Sequence, residues 1–94
     1  MALTVCMLRN ISDGDQFVFH FAQSHDLKVS LTTVLKSRNN APHWHLTRIG
    51  VGGVLEMTWL RELAALEVVV RSSRNGSGWP LQIINNLLST YPQY

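Results

Sequence analysis

Leu66-Glu67-Val68-Val69-Val70-Arg71, then a polar run to Gly78, then Trp79-Pro80-Leu81-Gln82-Ile83-Ile84-Asn85-Asn86-Leu87-Leu88-Ser89-Thr90-Tyr91-Pro92: this stretch decides the fold. Its first part is a β-branched run of the kind that fills a buried strand. Arg71-Ser72-Ser73-Arg74-Asn75-Gly76-Ser77-Gly78 has the turn formers of a loop. Pro80 suits the first position of a helix, where a missing N–H costs nothing and the fixed φ is already helical. Leu81, Ile84, Leu88 and Tyr91 then line one face, flanked by Ile83 and Leu87, until Pro92 stops the helix. A helix with one apolar side must bury it, and a sheet built from this β-rich chain is the surface available.

Working outward, Leu3 to Leu8 and Gln16 to Ala22 read as two strands around the turn Asn10-Ile11-Ser12-Asp13-Gly14-Asp15. In the second of these, Phe17, Phe19 and Phe21 alternate with Val18 and His20, the period-two pattern of a strand with one aromatic face. Lys28 to Lys36, rich in Val and Thr, reads as a third strand. A loop from Arg38 to Pro42 leads to a fourth strand, His43 to Val51. Leu55, Trp59, Leu63 and Leu66 recur at helical spacing, which favours a short helix over residues 55–66, with two short strands as the alternative. The expected architecture is therefore α+β: a mostly antiparallel sheet of about five strands packed against a C-terminal helix in a two-layer sandwich.

The chain has 94 residues, enough for one core and too few for two. It is 46% hydrophobic and only 15% charged, so it folds rather than staying disordered, and its few charges leave apolar surface that a partner could cover. Two Lys and six Arg give a net charge of +2 without any basic run, too dilute for an electrostatic nucleic-acid footprint. The single cysteine, Cys6, excludes an intrachain disulfide and favours a reducing compartment. Its place in an apolar strand with no adjacent cation points to burial rather than reactivity. The apolar start lacks a basic leader and a cleavage site, and no run reaches the roughly 18 apolar residues of a membrane helix. The expected setting is cytoplasmic.

Two segments resemble the Suppressor of fused family. One is Leu66-Glu67-Val68-Val69-Val70-Arg71, a polar loop, and Trp79-Pro80-Leu81 opening the last helix; the other is Pro42-His43-Trp44-His45-Leu46-Thr47-Arg48-Ile49-Gly50. Both stand in the family's order and together cover somewhat under half of the chain. Leu46 stands where the family carries a tyrosine, and the family's aromatic-glycine-acid turn is missing around Gly52-Gly53-Val54. The resemblance implies a domain that holds a short segment of another protein, and bacterial members look like immunity proteins that neutralise a toxin by occluding it.

Chemical signals are few. His43 and His45, two apart on a strand, share a face as paired metal ligands would, but a zinc site needs a third ligand and nothing in the sequence brings His20 or His25 to them. The expectation is no metal and no other cofactor. Ser24-His25-Asp26 contains the residue types of a nucleophilic triad, but such triads are assembled across a fold, not along a turn. The six acidic residues show no signature pair, so the chain reads as a binding protein and not an enzyme. Gly50-Val51-Gly52-Gly53 lacks the context of a phosphate loop and reads as a bend.

Partner contact is assigned to Arg71, Arg74 and Trp59, because arginine and tryptophan concentrate binding energy when desolvated. Trp44 and Trp79 are assigned to packing. Strand addition at a sheet edge would complete such an interface. The competing function is single-stranded RNA or DNA binding by base stacking on Phe17, Phe19 and Phe21; against it, only a short turn separates the two strands where RNA-recognition modules have a helix. A self-associating structural subunit is the third possibility, the oligomeric state being open.

Overall fold

The computed structural model describes residues 3–71 and 78–88, and the side chains of residues 6–71 and 78–87. The elements are β1 (Leu3–Leu8), α1 (Gly14–Ser24), β2 (Lys28–Leu35), β3 (Ala41–Arg48), β4 (Val51–Leu60), β5 (Ala65–Arg71) and α2 (Trp79–Leu88), with short 3-10 turns at Lys36–Arg38 and Arg61–Leu63. The five strands form one sheet in the order β1-β5-β4-β3-β2, and every adjacent pair is antiparallel. The expected α+β two-layer arrangement is what the chain adopts. β2 to β5 form a meander. β1 adds to its far edge and so runs parallel to β2, which means the β1–β2 connection must cross the whole sheet, and α1 is that crossover.

α1 occupies the segment whose alternating phenylalanines suggested a strand. Asp13 caps it from extended geometry (φ −142°), its carboxylate accepting the Gln16 N–H at 3.1 Å. Gly14, Val18, Phe21 and Ala22 are the buried positions, a spacing of four, three and one, while Phe19 stands out 46% exposed. Phe17 and Phe21 are one helical turn apart and stack with centroids 6.0 Å apart. Phenylalanines at 17, 19 and 21 satisfy a period of two, but the first and last also satisfy i, i+4, and the cap decides between them. The aromatic strand required for base stacking does not exist.

Residues 55–66 are strand, not helix: β4 runs to Leu60, a 3-10 turn follows, and β5 begins at Ala65. Leu55, Met57 and Trp59 point into the core, alternating with Glu56 and Thr58. Leu63, a core position on the helical reading, is 54% exposed. The expected fourth strand, His43 to Val51, is divided by a turn at Ile49-Gly50, where Gly50 takes φ +77°.

Both helices lie on the same side. Val18 and Phe21 of α1, Trp79, Ile83 and Ile84 of α2, and Trp44, Leu46, Leu55, Met57, Leu66, Val68 and Val70 of the sheet belong to one core cluster. Gly53 (φ +110°) lets β4 pass under the start of α2, where a Cβ would meet Pro80 and the Trp79 indole nitrogen at 3.1 Å. That indole donates to the Gly52 carbonyl at 2.9 Å. Arg48 ties the two helices together: it donates to the His25 carbonyl at the end of α1 (3.2 Å) and lies 5.0 Å from the centre of the Trp79 ring. Cys6 is half-buried, and burial pushes its thiol pKa up. No helix among the described residues is long and apolar enough to cross a membrane.

Candidate metal centre on the open face of the sheet

Among the described residues, the helices cover one face of the sheet, and the other face carries the alternate residues of each strand. Because β-strand side chains alternate, the residues that flank the core positions Trp44, Leu46, Leu55 and Met57 point the other way. On β3 these are His43 and His45, and on β4 they are Glu56 and Thr58. The β3–β4 register sets His45 opposite Glu56 and His43 opposite Thr58. β4–β5 pairing brings Glu67 next to Thr58.

These side chains converge. The Nε2 atoms of His43 and His45 are 3.1 Å apart, and each lies 3.5 Å from Oε1 of Glu56. His43 Nδ1 is 2.8 Å from the Thr58 hydroxyl. With Nδ1–H donating to Thr58 Oγ1, Nε2 of His43 keeps its lone pair. Arg71, from the end of β5, donates through Nε to Glu56 Oε2, which leaves Oε1 to the histidines. A second pair crosses the same face, Arg38 reaching from the β2–β3 connection to Glu67 on β5 at 2.6 Å.

The triangle of Nε2, Nε2 and Oε1 has the size of a tetrahedral coordination face. Zinc sits about 2.05 Å from imidazole nitrogen or carboxylate oxygen, which puts neighbouring ligand atoms of a tetrahedron about 3.3 Å apart. The observed edges of 3.1, 3.5 and 3.5 Å bracket that value. A point about 2.05 Å from all three atoms exists roughly 0.6 Å out of their plane, close to the height of about 0.7 Å that tetrahedral geometry requires. Thr58 and Arg71 are the outer partners such a site needs, one fixing an imidazole tautomer and the other holding the spare carboxylate oxygen.

Burial sharpens the chemistry. His43 is 5% exposed, and its pKa is lowered, first by burial and then by the charge of His45, against the opposing pull of Glu56 and Glu67. The 3.1 Å contact between the two Nε2 atoms suits a hydrogen bond in which one ring donates and the other accepts, and a metal ion at this point would replace that proton. His45 is the open side of the site, its side chain 32% exposed.

Of the residues expected to meet a partner, Arg71 is in this cluster, half-exposed and paired with Glu56. Trp59 is buried on the opposite face, its ring against Gly14 at the start of α1, so it serves packing. Arg74 lies outside the described residues. His20 and His25 sit on and after α1, on the helix side of the sheet, and do not approach His43. The third side chain of the triangle is Glu56, and the apolar–polar alternation from Leu55 to Trp59 was the signal that could have found it. Comparison with family models, with curated proteins and with solved structures returns no match to this chain.

Proposed function

We propose that this domain is a metal-binding module in which His43, His45 and Glu56 hold one divalent ion of the zinc class on the face of the sheet opposite the two helices. The observation that carries this reading is the triangle of ligand atoms, whose edges suit a four-coordinate ion. Nitrogen and carboxylate donors favour zinc, cobalt(II) or copper(II) over calcium and magnesium, which prefer all-oxygen shells. Three protein ligands leave at least one position for something from outside. We assign the site to binding and not to turnover, because both nearby carboxylates are engaged: Glu56 by Arg71 and the ion, Glu67 by Arg38. Neither is left as the base that metal-assisted hydrolysis needs.

The test is metal analysis of the chain after exposure to zinc and exhaustive dialysis. The wild type is expected to retain one zinc per chain and His45→Ala and Glu56→Gln to retain almost none. Equal retention by all three would place any bound metal elsewhere.

Partner binding, the role implied by the resemblance to Suppressor of fused, is the second reading, and β2 favours it. This edge strand exposes Leu31 and Val34, at 44% and 49%, and carries no charge between Lys28 and Lys36. Edge strands that stand alone are usually blunted by charge or proline, so an uncharged one suits strand addition by another chain. Affinity capture from the native source with wild type and Thr32→Lys tests it: a protein lost from the variant supports it, and identical captures refute it. If the captured partner is a toxin, relief of its killing by this chain tests the immunity version.

A further inference from the structure

The open coordination position has a chemistry of its own, which rests on the metal-binding reading. We propose that this position takes an oxyanion, a carboxylate or a phosphate, shared between the ion and the guanidinium of Arg71.

The charges require it first. Two neutral imidazoles contribute nothing, and the Glu56 carboxylate is balanced by Arg71. Arg38 and Glu67 cancel in the same way. A divalent ion therefore keeps its full double positive charge at a site that opens beside His45, and among the described residues no fourth histidine, cysteine or carboxylate joins the group to reduce it. An anion from outside is the ligand that this electrostatic balance selects.

Geometry narrows the anion to one with two oxygens. Glu56 already spans the ion's position and Arg71, offering Oε1 to one and Oε2 to the other. The distance between the two cationic centres is therefore one that a carboxylate bridges. Arg71 spends its Nε–H on Glu56, and the rest of its planar fork belongs to a side chain 48% exposed. A second carboxylate, or two oxygens of a phosphate, can bridge the same pair of charges alongside Glu56, one oxygen on the ion and one on the guanidinium. Arg71 is also one of the three residues, with Arg74 and Trp59, that the sequence assigned to partner contact, and the oxyanion would be its ligand.

The experiment uses the full chain loaded with one equivalent of cobalt(II), whose visible absorption reports the coordination shell. Acetate and low-millimolar phosphate are titrated separately, against sodium chloride at matched ionic strength. The proposal expects a saturable change of the cobalt bands with at least one of the two anions, and the tighter of them names the source. In Arg71→Gln, with cobalt occupancy read in the same spectra, the midpoint should rise roughly tenfold, the scale expected for losing one charge-assisted hydrogen bond. Bands that move no more than in chloride overturn the proposal while leaving the metal site standing, as does a midpoint unchanged in the variant. A response to imidazole alone would make the outside ligand a neutral nitrogen and also overturn it. If cobalt gives no bands at all, the metal-binding reading has failed and the oxyanion falls with it.

Discussion

Strand β4 presents two different surfaces on alternate residues. Leu55, Met57 and Trp59 face the helices and are almost fully buried, whereas Glu56 and Thr58, between them, face away and join two histidines and an arginine. β3 repeats the division, with Trp44 and Leu46 inward and His43 and His45 outward. The inward face follows ordinary rules for a core, and any apolar side chain of the right size would serve there. The outward face does not: a histidine 5% exposed and a carboxylate whose side chain is 14% exposed are costly to keep without partners, and the partners present are the ones a metal ion also uses. One face accounts for the folding of the chain, and the other carries the candidate site.

Substitutions on either side of β4 should separate these roles. Leu55→Ala removes a fully buried side chain between the two layers, and a loss of about 2–5 kcal/mol in urea unfolding is expected. Thr58→Val, on the other face, should cost far less stability and instead weaken metal retention by freeing the His43 ring. A reversed ranking would break the comparison.

The next effect comes from Gly14, which lies under the Trp59 ring. Alanine in place of glycine within a helix usually adds up to about 1 kcal/mol of stability. Here the new methyl would sit inside the indole, and displacing a packed ring should turn the gain into a loss of about 1–3 kcal/mol, read from the urea midpoint. Asp13→Ala, which removes the cap without touching the core, should cost about 1 kcal/mol.

The smallest effect belongs to pH and to the open face. The lowered pKa of His43 means that the folded, metal-free chain holds this ring neutral while the unfolded chain protonates it near the usual value of about 6.5. That contribution to stability is complete above about pH 6.5 and is lost as pH falls through the lower, folded pKa. The charged and titratable groups that act on this ring are His45, Glu56 and Glu67. Urea unfolding between pH 7.5 and 5 should show a decline that His43→Asn flattens.

Much of the fold was legible. β1, β2, β5 and the described part of α2 formed where β-branched runs, turn residues and the Trp-Pro start placed them, and β3 did so as far as Arg48; in detail, Leu81, expected on the buried side of α2, is 40% exposed, and the expected end of that helix at Tyr91-Pro92 lies outside the described residues. The two failures have separate causes. At α1 the phenylalanines fit both periods, and Asp13 with Gln16 three residues on, a helix-start pattern, was the neglected discriminator. At β4, Leu55, Trp59, Leu63 and Leu66 fell at helical spacing by accident across a strand, a 3-10 turn and a second strand. The second failure hid the site. His43 and His45 could be paired from their spacing, but Glu56 reaches them only through the register of β3 on β4, and a helix at residues 55–66 has no such register. Trp59 was offered to a partner on residue type, and the strand turns it into the core.

The most direct test of the central claim is an isothermal titration of zinc into the metal-free chain at pH 7.5, run beside His45→Ala with matched far-UV circular dichroism. The geometry of His43, His45 and Glu56 predicts saturable binding of one zinc per chain, lost in the variant although its fold is intact. Absence of saturable binding in the wild type, or the same isotherm in the variant, would contradict it.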